Sequence, residues 1–290
     1  MTEKILVTGA TGTVGSAVVE ALRAKNAAFV AASRNVEKAT EKLGADVDVV
    51  AFEFENPATF AAATEGVAKV FLVGPPVDPA MDTLLTPFIH FLKKAGIRRV
   101  VYLSAAGAEI LAESMPFHAN LENLLKHEGF ELTILRPTFF AQNFNNYERD
   151  NILTRKVLYS PAGQGKASFV DIRDVGEVAA TVLLETGHEG KEYNLTGPVP
   201  YSYTDVAGLL TEMGEEPIFY PEPSPEEYAQ TLKAAGAPEF IASYMNRVYA
   251  LIRDGHTNYV SPDVEKVLGK KPGDLKSVLA KSFAVEVQPD

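Results

Sequence analysis

The chain of 290 residues has no cysteine. That excludes disulfides, thiolate metal sites and a cysteine nucleophile together. It is compatible with a reducing compartment, and the expected location is the cytoplasm. Basic residues are also in short supply, with 27 Lys and Arg against 38 Asp and Glu and a formal net charge of −11. A duplex-binding surface needs a basic excess, so nucleic acid is not an expected partner. The five histidines, His90, His118, His127, His188 and His256, lack metal-ligand spacing, and no metal is expected. No apolar run approaches the length of a bilayer span, and no basic, apolar leader stands before the first strand, so neither a membrane segment nor a secretory signal is read. Hydrophobic residues make up 46%, enough for the deep core of one large domain with an appendage.

What is present is most informative at the start. Lys4-Ile5-Leu6-Val7-Thr8 reads as an apolar strand that runs into Gly9-Ala10-Thr11-Gly12-Thr13-Val14-Gly15, and an alanine-rich amphipathic run follows over 16–24. This is the pattern of a strand, a tight turn and a helix N-terminus. Gly9 lets the chain turn sharply, Gly12 lets a ligand pyrophosphate approach the backbone, and Gly15 lets the helix pack close to the sheet. The unpaired N–H groups and positive end of the new helix then face the phosphates. The spacing is GxxGxxG rather than the more familiar GxGxxG, and a glycine-rich turn without a ligand is the competing reading. Its place between a strand and a helix favours a dinucleotide site built from Gly9, Thr11, Gly12, Thr13, Val14 and Gly15.

Strand-like stretches recur at 28–33, 47–52, 68–73, 100–104 and 132–135, separated by helix-like stretches at 36–43, 57–64, 78–95 and 115–128. Near-continuous aliphatic runs imply strands covered on both faces, and intervening helices imply a parallel sheet. The expected fold is α/β. It has a doubly wound parallel Rossmann sheet over 1–150 and a smaller, mostly helical C-terminal substrate lobe over 151–290. Residues 168–200 return to the sheet through a helix at 171–185 and a strand at 192–195.

The end of the second strand bears on the choice of dinucleotide. NAD sites carry an acidic residue there. This chain has Ala31-Ala32-Ser33-Arg34-Asn35, with no carboxylate. Arg34 and Ser33 stand where a 2′-phosphate would lie, and a guanidinium can bind that phosphate and stack on adenine. NADP(H) is therefore favoured over NAD(H). The competing reading makes Arg34 a solvated arginine at a helix start. Ligands of parallel sheets lie outside the carboxyl ends of the strands, which adds Phe54, Gly74, Pro75, Ser104, Ala105 and Pro137 to the expected cofactor contacts.

Past the sixth strand, Phe139, Phe140, Gln142, Asn143, Phe144, Asn145, Asn146 and Tyr147 form an aromatic and amide cluster. Such a cluster suits a conjugated substrate, with Phe139, Phe140 and Asn143 as contacts; the alternative is that the phenylalanines join lobe to core. Asp171 and Asp174 read as helix caps. Tyr249 and Arg253 imitate a Tyr-x-x-x-Arg pair but read as solvated helix residues.

Several stretches together carry a family likeness: ILVTGATGTVG, the ASRN turn, Val70-Phe71-Leu72-Val73 before Gly74-Pro75-Pro76, RVVYLS at 99–104, LRPTFFAQNF at 135–144 and FVDIRDV at 169–175. The chain resembles the NmrA-like branch of the atypical short-chain dehydrogenase/reductases over almost its whole length. That branch includes triphenylmethane-dye and quinone reductases, ergot-alkaloid-type reductases and dinucleotide-binding regulators. The resemblance implies use of NADP(H). One departure matters. Short-chain dehydrogenases usually carry Tyr-x-x-x-Lys on the helix after the fifth strand, and no tyrosine here is followed four places on by lysine. The corresponding helix has His118 and Glu122, which share a face. His118 is the candidate proton donor and substrate contact, against a surface histidine paired with glutamate as the plain alternative; no other catalytic residue is assigned. The expected function is NADPH-dependent hydride transfer to a conjugated small molecule such as a quinone, enone, imine or dye. The rival is a redox sensor that binds NADP(H) and acts through a protein partner, and pairing with a second copy stays open.

Overall fold

The computed structural model describes residues 3–214 and 216–283. Among these the strands, in chain order, are β1 (Lys4–Val7), β2 (Phe29–Ser33), β3 (Val49–Ala51), β4 (Val67–Leu72), β5 (Arg99–Leu103), β6 (Glu131–Pro137), β7 (Lys166–Ala167), β8 (Glu192–Leu195) and β9 (Tyr201–Ser202). The helices are α1 (Thr13–Ala24), α2 (Val36–Leu43), α3 (Phe60–Ala63), α4 (Met81–Lys94), α5 (Phe117–His127), α6 (Asn143–Tyr147), α7 (Ile172–Leu184), α8 (Tyr203–Met213), α9 (Pro225–Ala234), α10 (Glu239–Arg253), α11 (Asp263–Leu268) and α12 (Leu275–Phe283).

Two compact units result. The first holds the chain up to Pro137, Ile172–Leu195 and Asp263–Lys270. Its sheet has seven strands in the order β3-β2-β1-β4-β5-β6-β8, and every neighbouring pair is parallel. This is the expected doubly wound Rossmann architecture. The order reverses direction between β1 and β4, the place where such sheets open a crevice for ligands. Parallel strands covered on both faces need apolar side chains on both faces, and all five residues of β5 are buried. The expected return of 192–195 to the sheet is found, with β8 paired to β6 from Ile134↔Glu192 to Pro137↔Leu195.

Helix α7 lies against α1. A Cβ on Gly176 would stand 2.6 Å from the Ala17 backbone, so the absence of a side chain at Gly176 sets how close the two helices come. Asp263–Lys270, which composition alone groups with the C-terminal lobe, packs against α7 and β8 in the first unit. The Asp263 carboxylate accepts from the Asn194 N–H at 2.9 Å.

The second unit runs over Thr138–Asp171 and Thr196–Pro262 and continues from Lys271. It pairs β7 with β9 antiparallel. Capping boxes at Ser202 with Asp205 and at Ser224 with Glu227 start α8 and α9. Phe144, Phe169 and Tyr203 lie at its centre, all buried.

Candidate active site

The first unit gathers most of the expected cofactor residues at the carboxyl edge of its sheet. Gly9 follows β1 with φ of 58°, in the left-handed region where a side chain is strained. The Gly12 N–H closes the turn on the Gly9 carbonyl at 2.8 Å. A Cβ on Gly15 would stand 2.0 Å from that same carbonyl oxygen. Gly15 is thus required by the turn's own backbone rather than by contact with the sheet, a revision of the role the sequence suggests. Gly12 differs. Its φ of −78° and ψ of 174° suit any residue, and a Cβ there would approach only the Gly9 oxygen, at 3.1 Å. No side chain caps α1, and no acidic residue sits in its first turn. The first-turn N–H groups of Thr13, Val14 and Gly15 are therefore available to an anion.

Beyond β2, Asn35 caps α2 by accepting from the Lys38 N–H at 2.9 Å. The Ser33 hydroxyl is engaged within the same turn, with Oγ 3.1 Å from the Asn35 carbonyl oxygen and 3.2 Å from its amide nitrogen. Arg34 is exposed and makes no hydrogen bond or ion pair with any described residue. The structure adds a cation that sequence reasoning missed: Lys42 Nζ donates to the Thr11 carbonyl at 2.8 Å, which brings an α2 ammonium onto the glycine turn. Nothing local in the sequence marks Lys42, because it lies 31 residues from Thr11.

The other strand ends are more structural. Phe54 packs edge-on against Phe52 and Phe88, with ring centroids 4.9 and 5.8 Å away. A Cβ on Gly74 would stand 2.4 Å from Met81 Sδ, so α4 closes over that glycine. Past Pro75, Val77 holds φ of 57°. That is a left-handed conformation for a β-branched residue, which costs about 1–3 kcal/mol and concentrates in functional loops. The Ala106 N–H donates to the Pro137 carbonyl at 2.9 Å, tying the chain after Ser104 and Ala105 to the end of β6.

On α5 the plain alternative, a surface pair of His118 and Glu122, is not found. Glu122 is buried, accepting from Ser104 Oγ at 2.6 Å and from Arg136 Nε at 2.9 Å, with a second close contact to Arg136 Nη2. Arg136 Nη1 also donates to Glu192 at 2.6 Å. The two carboxylates hold the guanidinium's pKa well above its ordinary value, against the effect of burial. His118 turns to β5 instead, with Nδ1 2.8 Å from the Tyr102 hydroxyl. Burial pushes the imidazolium down to about 4, so the ring is neutral at pH 7. A charged His118 delivering its proton near neutrality is thereby disfavoured. A hydrogen bond donated by the neutral ring remains open to it.

In the second unit, Phe139 and Phe140 lie on a segment paired with Val170. The Val170 N–H donates to the Phe139 carbonyl and the Ala141 N–H to the Val170 carbonyl, both at 2.9 Å. The half-buried Phe139 ring is 5.8 Å from that of Tyr249. The Asn143 side-chain amide has no hydrogen-bond partner among the described residues. Phe144, by contrast, is core, with its ring 5.0 Å from Phe169. Tyr249 and Arg253 are not solvated as the sequence suggests. Tyr249 is buried with its hydroxyl 2.9 Å from Ser160 Oγ, and Arg253 donates to the Asn246 carbonyl at 2.9 Å. Helix α10 is amphipathic, and both residues fall on its inner stripe.

This edge, with its glycine turn and free arginine, belongs to a chain whose residues 1–283 match the model of the NmrA-like family. The chain belongs to the NmrA-like family. Among its relatives, the NAD(P)H azoreductase of Xenophilus azovorans is 34% identical, over 97% of this chain and 98% of the relative. The structure of the Citrobacter triphenylmethane reductase complexed with NADP(H) superposes with a TM-score of 0.86 at 27% identity, covering 97% of this chain and 100% of that one. The NADPH-dependent quinone oxidoreductase of Escherichia coli, complexed with NADPH, gives 0.85 at 26% identity, with coverage of 96% and 99%. The NmrA-like assignment thus spans both units.

Proposed function

We propose that this NmrA-like protein is an NADPH-dependent reductase that passes hydride to a conjugated small-molecule acceptor, a quinone or a dye. The observation that carries the reading is the uncapped N-terminus of α1, one strand from an unpartnered arginine, in a chain alike over 96–97% of its length to NADP(H)-bound reductases. The residues fit the cofactor. Gly12 needs no glycine for its backbone angles, a Cβ there would meet only the Gly9 oxygen at 3.1 Å, and no side chain caps the first-turn amides beside it. Bound, NADPH supplies the hydride. The chain's own residues do the rest. The first-turn amides of α1 hold the pyrophosphate, Arg34 holds the 2′-phosphate, and Lys42 adds positive charge beside the turn. Ser33 contributes its backbone and the shape of the turn more than its engaged hydroxyl. Phe139, Phe140 and the free amide of Asn143 supply flat apolar surface and one polar handle for the acceptor. Among the described residues no helix is long and apolar enough to cross a membrane.

The direct test is NADPH oxidation with a panel of quinones, enones, imines and azo or triphenylmethane dyes. Stoichiometric consumption with at least one acceptor class is expected. Tight NADPH binding without consumption across the panel would instead mark a binding protein that signals through a partner. The choice of cofactor has its own test. Arg34→Glu removes a charge-assisted contact and sets a like charge against the phosphate, a loss of about 2–3 kcal/mol, or roughly fiftyfold in the NADPH dissociation constant. NADH affinity, measured by the same fluorescence titration, should change by no more than about threefold. Equal losses for both would remove Arg34 from the phosphate site.

A further inference from the structure

Tyr102 is fully buried on β5. Pairing of Val7 with Phe71, of Phe71 with Val101 and of Leu72 with Tyr102 sets it at the carboxyl end of the sheet, two strands from the glycine turn. Its hydroxyl lies 2.8 Å from His118 Nδ1. No other described group hydrogen-bonds either the phenol or the ring. A buried phenol O–H needs an acceptor, and Nδ1 is the one in reach. If Nδ1 carried the hydrogen and donated to the phenol oxygen, the phenol hydrogen would be left without a partner. The arrangement that satisfies the phenol has Tyr102 donating, Nδ1 accepting and the ring hydrogen on Nε2, where no described residue accepts it. Burial also holds both groups uncharged at neutral pH, raising the phenol's pKa and lowering the imidazolium's.

We propose that Tyr102 is a positioning residue that locks His118 in the Nε2–H tautomer, and that this N–H is a neutral hydrogen-bond donor to the acceptor atom of a quinone or azo substrate. The inference rests on the reductase reading. Hydride addition from NADPH to a quinone yields NADP⁺ and the hydroquinone monoanion, and a proton from water completes the hydroquinone. Negative charge develops on the carbonyl oxygen during the addition, and a preorganised donor is most effective there. A neutral donor suits this role because it keeps its proton and needs no recharging. A triphenylmethane cation is different: hydride adds at carbon, the product is neutral, and no atom on it gains negative charge. His118 is thereby a specificity residue, favouring acceptors with a localised oxygen or nitrogen.

The test has two arms. Long-range ¹H–¹⁵N spectra of histidine-labelled protein at pH 7, with the His118 signals assigned by their loss in His118→Ala, should show Nε2 protonated and Nδ1 bare. The Nδ1–H form would overturn the proposal whether or not the protein turns over. In the second arm, kcat is compared for a quinone and a triphenylmethane cation. His118→Ala should lower the quinone-to-dye kcat ratio by about a hundredfold. His118→Gln, whose amide offers a donor near the Nε2 position, should restore most of the ratio. Tyr102→Phe should lower it by about tenfold and add the Nδ1–H form to the spectrum, with the NADPH dissociation constant unchanged. Equal losses for both acceptors would overturn the donor role. Failure of the reductase reading itself looks different, since wild-type protein would then consume no NADPH with any acceptor.

Discussion

Gly15→Ala is expected to destabilise the protein by about 3 kcal/mol, while the same change at Gly12 leaves stability within about 1 kcal/mol and strikes the cofactor instead. The two glycines lie three residues apart on one turn. A methyl at Gly15 would sit 2.0 Å from the Gly9 carbonyl oxygen and 2.9 Å from Ala10 Cα, both rigid backbone, so the turn must open. At Gly12 the nearest atom is the Gly9 oxygen at 3.1 Å, which a shift of a few tenths of an ångström relieves. Thermal unfolding should show Gly15→Ala lowered by roughly 6–12 °C and Gly12→Ala near wild type. NADPH titration of Gly12→Ala should show affinity reduced at least about tenfold, because the added methyl occupies the approach to the first-turn amides. An unchanged melting temperature for Gly15→Ala would refute the steric account. Unchanged affinity for Gly12→Ala would take the pyrophosphate away from this turn.

Glu122→Ala is expected to cost about 3 kcal/mol, the lower end of the range for breaking a buried ion pair. The side chains of Arg136 and Glu122 are 12% and 4% exposed. Removing the carboxylate leaves the guanidinium with Glu192 at 2.6 Å and the more distant, exposed Glu109 at 3.8 Å, and leaves the Ser104 hydroxyl without its acceptor. A melting temperature lower by roughly 6–12 °C is the expected readout. The double variant Glu122→Leu with Arg136→Met should recover most of the loss, because burying two ions costs nearly as much as their attraction returns. Glu192 then keeps Lys126, 2.7 Å away. A single variant that melts like wild type would show the pair to be energetically idle. A double variant no more stable than the single would show that the network does more than neutralise itself.

Much of the cofactor edge is legible in the chain because it is local. Strand, glycine spacing and helix lie within the first two dozen residues, and the backbone of one turn decides what they do. Arg34 stands out because the carboxylate expected beside it is missing, which is also a local observation. Its freedom from any partner agrees with that reading. Helix α5 behaves differently. His118 and Glu122 share a face by spacing, yet each takes a partner from the sheet, Tyr102 and Arg136, and the choice between those partners lies in the strand order. Tyr249 reads as a surface residue because its neighbour Ser160 is 89 residues away in the chain.

The sequence alone determined the strand–turn–helix that opens the chain, the alternating α/β rhythm and the cationic second-strand end. These depend on contacts between near neighbours, whose geometry the residue types dictate. Tertiary structure decided that Gly176 sets the approach of α7 to α1, that Asp263–Lys270 completes the first unit, that Lys42 reaches Thr11 and that His118 meets a tyrosine. Each joins residues far apart along the chain. For the fully buried Tyr102, burial removes water as an alternative partner to His118, so the strand order, not the spacing, selects whom it bonds.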